Sequence, residues 1–217
     1  MELLHAQLKV RQRAERDNHP ESIALRIHRA LSWLDRAEQC DDDDARFIFL
    51  WISFNAAYAN DLGDLGHMAE QRVFQHFIQR LVDLDKEEAL YNLVWTEFTS
   101  SIRILLDNQY VFGPFWEFQR GKLTEEQWTS SFSKAKVAAN RSLAHHDTVK
   151  VLSIVFSRLY ILRNQLMHGA ATWNSGVNRD QLRDSANILG KVVPQVIKIL
   201  LDHPNVVWGE AMYPVVS

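Results

Sequence analysis

One short segment of the 217-residue chain combines side chains that could act on a phosphodiester: Arg163-Asn164-Gln165-Leu166-Met167-His168-Gly169. A guanidinium can bind two phosphate oxygens at once, and an imidazole can transfer a proton near neutral pH. Asn164 and His168 are four residues apart, so on a helix they share a face, and the long Arg163 side chain can reach it. At a helix C-terminus the dipole also favours a protonated His168. The segment therefore predicts a phosphate site.

The spacing of Arg163 and His168 decides little by itself. Composition alone gives roughly 0.7 matches to Arg-x4-His in a chain of this length, and the sequence contains two, the other being Arg141 to His146. A structural interpretation is also open, in which His168 only caps a helix and Arg163 pairs with an acid at the edge of the core. The surrounding sequence must therefore decide.

The elements that must position this segment are predicted to be helices. Gly (8) and Pro (5) are scarce, which favours long helices over a sheet with many turns. Apolar residues at helical spacing predict a helix from Asp147 to His168, with Gly169 as its C-terminal cap. The other long helices are predicted over Pro20 to Gln39, Asp44 to Asn60, His67 to Leu84, Lys86 to about Asn108, Thr124 to Ala144 and Asn178 to Asp202.

The fold is thus predicted to be all-α, with one helical domain over residues 19–217. Residues 1–18 are polar and basic and form either a surface helix or a loose arm. Pro194 is expected to kink or break the last helix. Residues 203–217 are predicted to be an irregular C-terminal tail that docks on the body through its apolar side chains.

Composition and missing motifs exclude several classes of protein. A net charge of −3 argues against a protein that coats nucleic acid non-specifically, although a small basic site remains compatible with it. The single cysteine, Cys40, excludes an internal disulfide and a CxxC metal site, and we expect the run Asp41–Asp44 to begin a helix rather than bind a metal. No phosphate loop, GxSxG, HExxH or signal-peptide core is present, and no apolar run could span a bilayer. We therefore expect a cytoplasmic protein without membrane association.

Two segments together resemble the HEPN superfamily of helical domains. One is the Arg163–Gly169 segment, and the other is Phe49-Leu50-Trp51-Ile52-Ser53-Phe54-Asn55-Ala56-Ala57-Tyr58 on an earlier helix. The resemblance covers roughly residues 21–202 and implies an up-and-down helical bundle. It also implies a metal-independent endoribonuclease site, with Arg163 and His168 at the two defining positions and Asn164 as the polar residue after the arginine. The resemblance further implies a homodimer in which both motifs meet, an RNA substrate and no cofactor.

Four further residues are candidates for binding the substrate. Asn55 lies among apolar residues, so its amide either braces a neighbouring helix or faces a site. The other three are Arg141, His145 and His146. They belong to the most basic local stretch of the chain, which is either an RNA track or an ordinary solvated helix end.

Three functions are compatible with these residues. The first is a HEPN-type endoribonuclease that leaves a 2′,3′-cyclic phosphate; the resemblance suggests a toxin or phage-defence role with an antitoxin partner. The second is a non-catalytic HEPN-like module that binds a nucleotide, an RNA or a protein. The third is a helical adaptor with a coincidental motif. Exposed Arg163 and His168 that face each other across a two-fold cleft would favour the first function. A small enclosed pocket around Asn55 would favour the second, and a buried pair with satisfied hydrogen bonds, far from any interface, would favour the third.

Overall fold

The computed structural model describes residues 4–58, 67–176 and 178–209, with only the backbone for 67–71. Within these ranges the chain contains α-helices and short helical turns but no β-strand, which confirms the prediction of an all-α helical bundle. The helices are α1 His5–Glu15, α2 Glu21–Glu38, α3 Asp43–Tyr58, α4 His67–Leu84, α5 Ala89–Asn92, α6 Thr99–Asp107, α7 Gly113–Gln119, α8 Glu125–Ala144, α9 Thr148–Met167 and α10 Arg179–Asp202. The loop predicted at 61–66 lies outside the described residues. None of the described helices is long and apolar enough to cross a membrane.

The helices form two compact units. The first contains residues Met1–Leu90 and Leu182–Ser217, and the second contains Tyr91–Gln181. The first unit therefore combines α1 to α4 with most of α10, and within it α2 packs extensively on α3. The second unit contains α6 to α9, so it holds the whole helix on which Arg163 lies.

The pairing of α2 with α3 buries the apolar stripe predicted from spacing. The stripe residues of α2 are almost fully buried: Ile23, Ile27, Ala30, Leu31 and Leu34. They pack against large side chains of α3, of which Phe47, Leu50 and Phe54 are also buried. Each such large side chain contributes about 1.5–3 kcal/mol when it leaves water. The buried hydroxyl of Ser53 donates a 2.7 Å hydrogen bond to the carbonyl of Ala30, and Nη1 of the buried Arg26 donates a 3.1 Å bond to the carbonyl of Ala57.

The described parts of the N-terminal segment and of the C-terminal tail both pack within the first unit. The basic N-terminal segment forms a helix, α1, which buries Leu8 and Gln12 against α2. The described part of the tail docks as expected, because Trp208 is buried and donates a 3.0 Å hydrogen bond to the carbonyl of His203. Phe77 of α4 meets the Trp208 ring edge-to-face at 5.8 Å. The apolar tail residue is thus part of the core of this unit.

Of the kink or break expected at Pro194, the break does not occur. α10 continues from Arg179 to Asp202 with Pro194 inside it. A proline in a helix interior costs about 3 kcal/mol through a lost hydrogen bond and a steric clash. Pro194 lies between the buried residues Val193 and Val196, and burial of this continuous apolar face outweighs the local cost.

The single helix predicted from Lys86 to about Asn108 is divided in the structure. α5 is followed by a π-helical turn, Leu93–Glu97, in which the N–H of Phe98 donates to the carbonyl of Leu93 at 2.9 Å. The hydroxyl of Thr99 then donates to the carbonyl of Val94 at 3.2 Å. The extra residue of a π turn shifts the helical register, so that apolar residues on both sides of it are buried. These residues are Leu90, Leu93, Val94, Ile102 and Leu105.

α8 and α9 begin where local signals predict. Thr124 and Gln127 form the predicted capping box of α8, with N–H···O distances of 2.8 and 3.2 Å. The Asp147 carboxylate accepts a 3.0 Å hydrogen bond from the N–H of Lys150 at the start of α9. The apolar face of α9 is buried as predicted, through Val151, Leu152, Val155, Phe156, Leu159 and Leu162. That burial fixes the rotation of α9 and therefore the direction in which its polar residues point.

Candidate phosphate site at the end of α9

α9 ends in the glycine cap that the sequence predicts. Gly169 adopts a φ of 67°, and its N–H donates to the carbonyl of Leu166 at 3.1 Å. The N–H of Ala170 donates to the carbonyl of Gln165 at 2.8 Å. These two bonds form a Schellman motif, which satisfies the last carbonyls of the helix. The cap fixes the end of the helix and holds His168 as the first residue after it.

Asn164 contacts both of the other motif residues. Nη1 of Arg163 donates to Oδ1 of Asn164 at 2.9 Å, and the N–H of His168 donates to the carbonyl of Asn164 at 3.0 Å. Arg163 and Asn164 are half-buried, whereas His168 is exposed. No carboxylate in the described part of the chain pairs with Arg163. Most of its five N–H donors are therefore open to a ligand.

The sequence alone gave no sign of a contact that holds this end of α9 in place. Nε2 of Gln165 donates to the carbonyl of Tyr110 at 2.6 Å. The same carbonyl accepts a 2.7 Å hydrogen bond from the indole N–H of Trp116, which lies in the short helix α7. Gln165 lies inside the Arg163–Gly169 segment, but Tyr110 is 55 residues away in the chain, and no sequence pattern around Tyr110 indicates that it contacts α9. The motif is thus held by a second element of the same unit.

α9 also buries a second arginine, Arg158, which the sequence analysis did not single out. The Arg158 guanidinium lies 4.5 Å from the ring centroid of Phe112 and 5.9 Å from that of Phe132. Nη1 donates a long hydrogen bond of 3.4 Å to the carbonyl of Val111, and no carboxylate of the described residues pairs with it. Burial lowers the pKa of Arg158 to about 10. Two aromatic faces therefore take the place of a counter-ion at this arginine.

No protein-family model, curated protein or solved structure matches this chain. The chemistry of the site therefore rests on its own geometry. A guanidinium with open donors can bind the non-bridging oxygens of a phosphate, and an exposed imidazole can accept or donate a proton. The side chain of Asn164 binds the Arg163 guanidinium, and the main-chain carbonyl of Asn164 accepts the N–H of His168. This arrangement is suited to phosphodiester chemistry.

The basic stretch lies at the other end of α9 from the motif. Arg141, His145 and His146 are exposed around the turn between α8 and α9. A helix of 20 residues is about 30 Å long, so these residues cannot touch a phosphate bound at Arg163. The structure therefore separates the predicted catalytic and basic residues of this unit, and an RNA contact at the turn would involve a different part of the strand.

His146 also has a structural role in that turn. It adopts a φ of 52°, and its ring stacks on Trp95 with a centroid distance of 4.5 Å. Its Nδ1 lies 3.1 Å from the hydroxyl of Tyr91, and the indole N–H of Trp95 donates to the hydroxyl of Thr148 at 2.9 Å. These contacts tie the turn to the π-helical segment, so His146 is positioned by the fold.

Asn55 lies on α3 in the first unit, whereas the motif belongs to the second. Its side chain is half-buried, while Trp51, one turn earlier, is buried. The amide can therefore reach solvent. The structure shows a groove of about 390 Å³ along α8, lined by Trp128, Thr129, Phe132, Ser133, Lys136, Val137 and Asn140. None of the predicted site residues lines this groove.

The four consecutive aspartates take part in the start of α3. Asp43 and Asp44 are its first residues, where negative charge complements the helix dipole. Oδ1 of Asp42 accepts a 2.8 Å hydrogen bond from the N–H of Ala45. Within the described residues, no group of three or more His, Cys, Asp or Glu is arranged to hold a metal ion.

Proposed function

We propose that this protein is a metal-independent endoribonuclease of the HEPN type, with its site at the end of α9. One observation carries the proposal. The guanidinium of Arg163 is held by Asn164 at 2.9 Å without a carboxylate partner in the described chain, and the exposed His168 follows five residues later, at the helix end that the glycine cap fixes.

In the proposed reaction the 2′-hydroxyl of RNA attacks the adjacent phosphorus. The O2′–P bond forms and the P–O5′ bond breaks, which leaves a 2′,3′-cyclic phosphate and a 5′-hydroxyl. His168 accepts the proton of the 2′-hydroxyl, and His168 of the partner subunit donates a proton to the leaving oxygen. Arg163 donates hydrogen bonds to the non-bridging oxygens as negative charge builds up on them. Asn164 positions Arg163.

Exposed apolar side chains beside the motif support a homodimer. Tyr160 and Met167 are about half exposed and Trp173 is 74% exposed. Tyr160 and Met167 are seven residues apart and so share one face of α9. A second copy packed on this face would cover them and bring two copies of the motif together around a two-fold axis.

The dimer is tested by placing a charge on this face. Met167→Glu should give a monomer in analytical ultracentrifugation and should lower RNA cleavage at least tenfold. Val137→Glu, at an exposed position of α8, is the control and should change neither result. If Met167→Glu remained a dimer, this face of α9 would not be the dimer interface.

The ribonuclease is tested by cleavage of a mixed-sequence RNA in EDTA. Wild type should produce cyclic-phosphate ends, and Arg163→Ala and His168→Ala should each be at least about 100-fold slower, as is typical for loss of a transition-state contact. Arg120→Ala and His76→Ala remove the same groups at exposed positions elsewhere and should cleave normally. Equal cleavage by all variants would indicate a contaminant, and no cleavage would favour the non-catalytic binding module.

The biological setting is proposed from the resemblance alone. A toxin or phage-defence effector of this kind should arrest growth when it is induced in a bacterial host, and His168→Ala should abolish the arrest. Rescue by a co-expressed neighbouring gene product would identify an antitoxin. Normal growth with active wild-type enzyme present would contradict the toxin role while leaving the nuclease in place.

A further inference from the structure

The first unit carries a cluster of positive charge where α1 lies on α2. Lys9, Arg13 and Arg16 are spaced four and three residues apart, so they line one face of the N-terminal helical segment. Nζ of Lys9 lies 3.4 Å from Nδ1 of His28 on α2. The chain as a whole has a net charge of −3. The cluster is therefore a local region of positive charge on a protein whose net charge is negative.

Carboxylates compensate this cluster poorly. Among the described residues, Lys9 and Arg13 form no ion pair with a carboxylate. Arg16 pairs with Asp17 at 3.5 Å, but both side chains are largely exposed, and an exposed pair of this kind contributes little. Asp35, the acid whose charge acts on Lys9, already pairs with His5 at 3.1 Å.

The positive charges of Lys9, Arg13 and Arg16 repel one another and disfavour a charged His28. Burial, followed by the charges of Arg13 and Arg16, lowers the pKa of Lys9, although Asp35 opposes them. Burial, followed by the charges of Lys9, Arg16 and Arg29, lowers the pKa of His28. A bound anion would relieve this repulsion. The surface is therefore prepared to accept negative charge.

The geometry of α1 favours a nucleic-acid strand over a membrane surface. Lys9 and Arg16 are separated by about 10 Å along the helix axis, a length that extends over more than one phosphate of a strand. A helix that lies on a membrane needs an exposed apolar face, but Leu8 is buried. In the described part of this segment the exposed large apolar residues, Leu4 and Val10, are six residues apart and share no helix face.

We propose that the surface formed by Lys9, Arg13, Arg16 and His28 binds the phosphate backbone of a single-stranded nucleic acid. It lies in the unit that does not contain Arg163 and His168, so it is a second contact site. That the strand is the RNA substrate rests on the proposed ribonuclease function. Binding of the phosphates themselves does not require cleavage.

The test measures binding of a fluorescent 12-nucleotide RNA by anisotropy in EDTA, with full-length protein carrying His168→Ala to prevent cleavage. The test variant adds Lys9→Gln, Arg13→Gln and Arg16→Gln. The control variant adds Arg103→Gln, Arg120→Gln and Lys122→Gln, which removes the same charge from exposed positions. Because each phosphate contact contributes about 0.7 to the slope of log K against log salt for single strands, the test variant should lose about 2 from the slope. Its affinity at low salt should fall at least tenfold, and the control should stay within twofold of the parent.

Circular dichroism and thermal unfolding of both triple variants exclude misfolding as the cause. Equal RNA affinity of the two variants would overturn the proposal. So would a loss confined to binding of phosphatidylserine vesicles, since that would indicate a membrane partner. Cleavage by the protein with native His168 is measured separately. If the test variant loses RNA binding but the wild type does not cleave RNA, the binding surface stands and the proposed catalysis fails. If the wild type cleaves RNA but the test variant keeps its affinity, the catalysis stands and the binding surface fails.

Discussion

The guanidinium of Arg163 donates a 2.9 Å hydrogen bond to Oδ1 of Asn164, its immediate neighbour in the chain. Adjacent helical residues point about 100° apart and do not normally face each other, so the long arginine side chain must fold sideways to make this bond. The amide occupies one of the five guanidinium N–H groups without bringing a negative charge. Asn164 therefore orients Arg163 and leaves its positive charge available to a phosphate.

Asn164→Asp should impair the proposed enzyme more than Asn164→Ala. The aspartate has nearly the shape of asparagine, but its charge would neutralise Arg163 and repel the substrate phosphate. We expect kcat/KM for RNA cleavage to fall about 100-fold in Asn164→Asp and about tenfold in Asn164→Ala, measured with the same RNA at pH 7. Activity of the aspartate variant at or above that of the alanine variant would contradict the role of an uncompensated Arg163.

Gly169→Ala should destabilise the end of α9. A Cβ at Gly169 would meet no atom within 4 Å, so the cost comes only from the left-handed φ of 67° and should be about 1 kcal/mol. Urea unfolding measures this change, and RNA cleavage should fall with it because His168 directly follows the helix. Gly176→Ala is the control, since its Cβ also meets open space and its φ is not left-handed. Equal losses in the two variants would exclude the cap as the cause.

Helix ends could be predicted from sequence wherever the signal is local. The capping box at Thr124, the cap of α9 at Asp147 and the glycine after His168 each involve atoms only a few residues apart. The chemistry of such a cap is complete within four or five residues, so the sequence contains all of it.

Features that depend on distant parts of the chain could not be predicted. The apolar pattern from Leu90 to Leu105 fits one helix, and only packing on the rest of the unit selects the π turn. The bond from Gln165 to Tyr110 joins residues 55 positions apart. Arg158 shares its helix with apolar residues and has a charged side chain, so the pattern does not reveal that aromatic rings from two other segments enclose it.

Arg158→Met should leave the protein as stable as wild type or more stable. A buried charge without a carboxylate partner carries a desolvation cost of several kcal/mol, and the contacts with Phe112 and Phe132 return about 2 kcal/mol. Methionine fills much of the same volume without this cost, so we expect a gain of up to about 1 kcal/mol in the free energy of unfolding, measured in urea at pH 7. Arg158→Ala leaves a cavity and should lose about 2 kcal/mol or more. A methionine variant clearly less stable than wild type would show that the aromatic contacts outweigh desolvation.

Asp202→Asn should destabilise the first unit in a pH-dependent way. Burial acts to raise the pKa of Asp202, but hydrogen bonds from Arg11 and Lys198 outweigh it and hold the pKa below its usual value. The N···O distances are 2.5 Å to Arg11 and 3.0 Å to Lys198. Because the folded state binds this proton less readily than the unfolded state, the carboxylate stabilises the fold above its ordinary pKa and loses that effect as the pH falls.

The difference between wild type and Asp202→Asn should therefore be about 1 kcal/mol at pH 7 and should shrink between about pH 5 and pH 3. Urea unfolding at several pH values measures it. Asp17→Asn removes a carboxylate whose partner, Arg16, is also largely exposed, and it should change stability by less than about 0.5 kcal/mol at every pH. If the loss in Asp202→Asn were the same at pH 3 as at pH 7, its cause would be altered packing, because only the ionised carboxylate can bind Arg11 and Lys198 as charged partners.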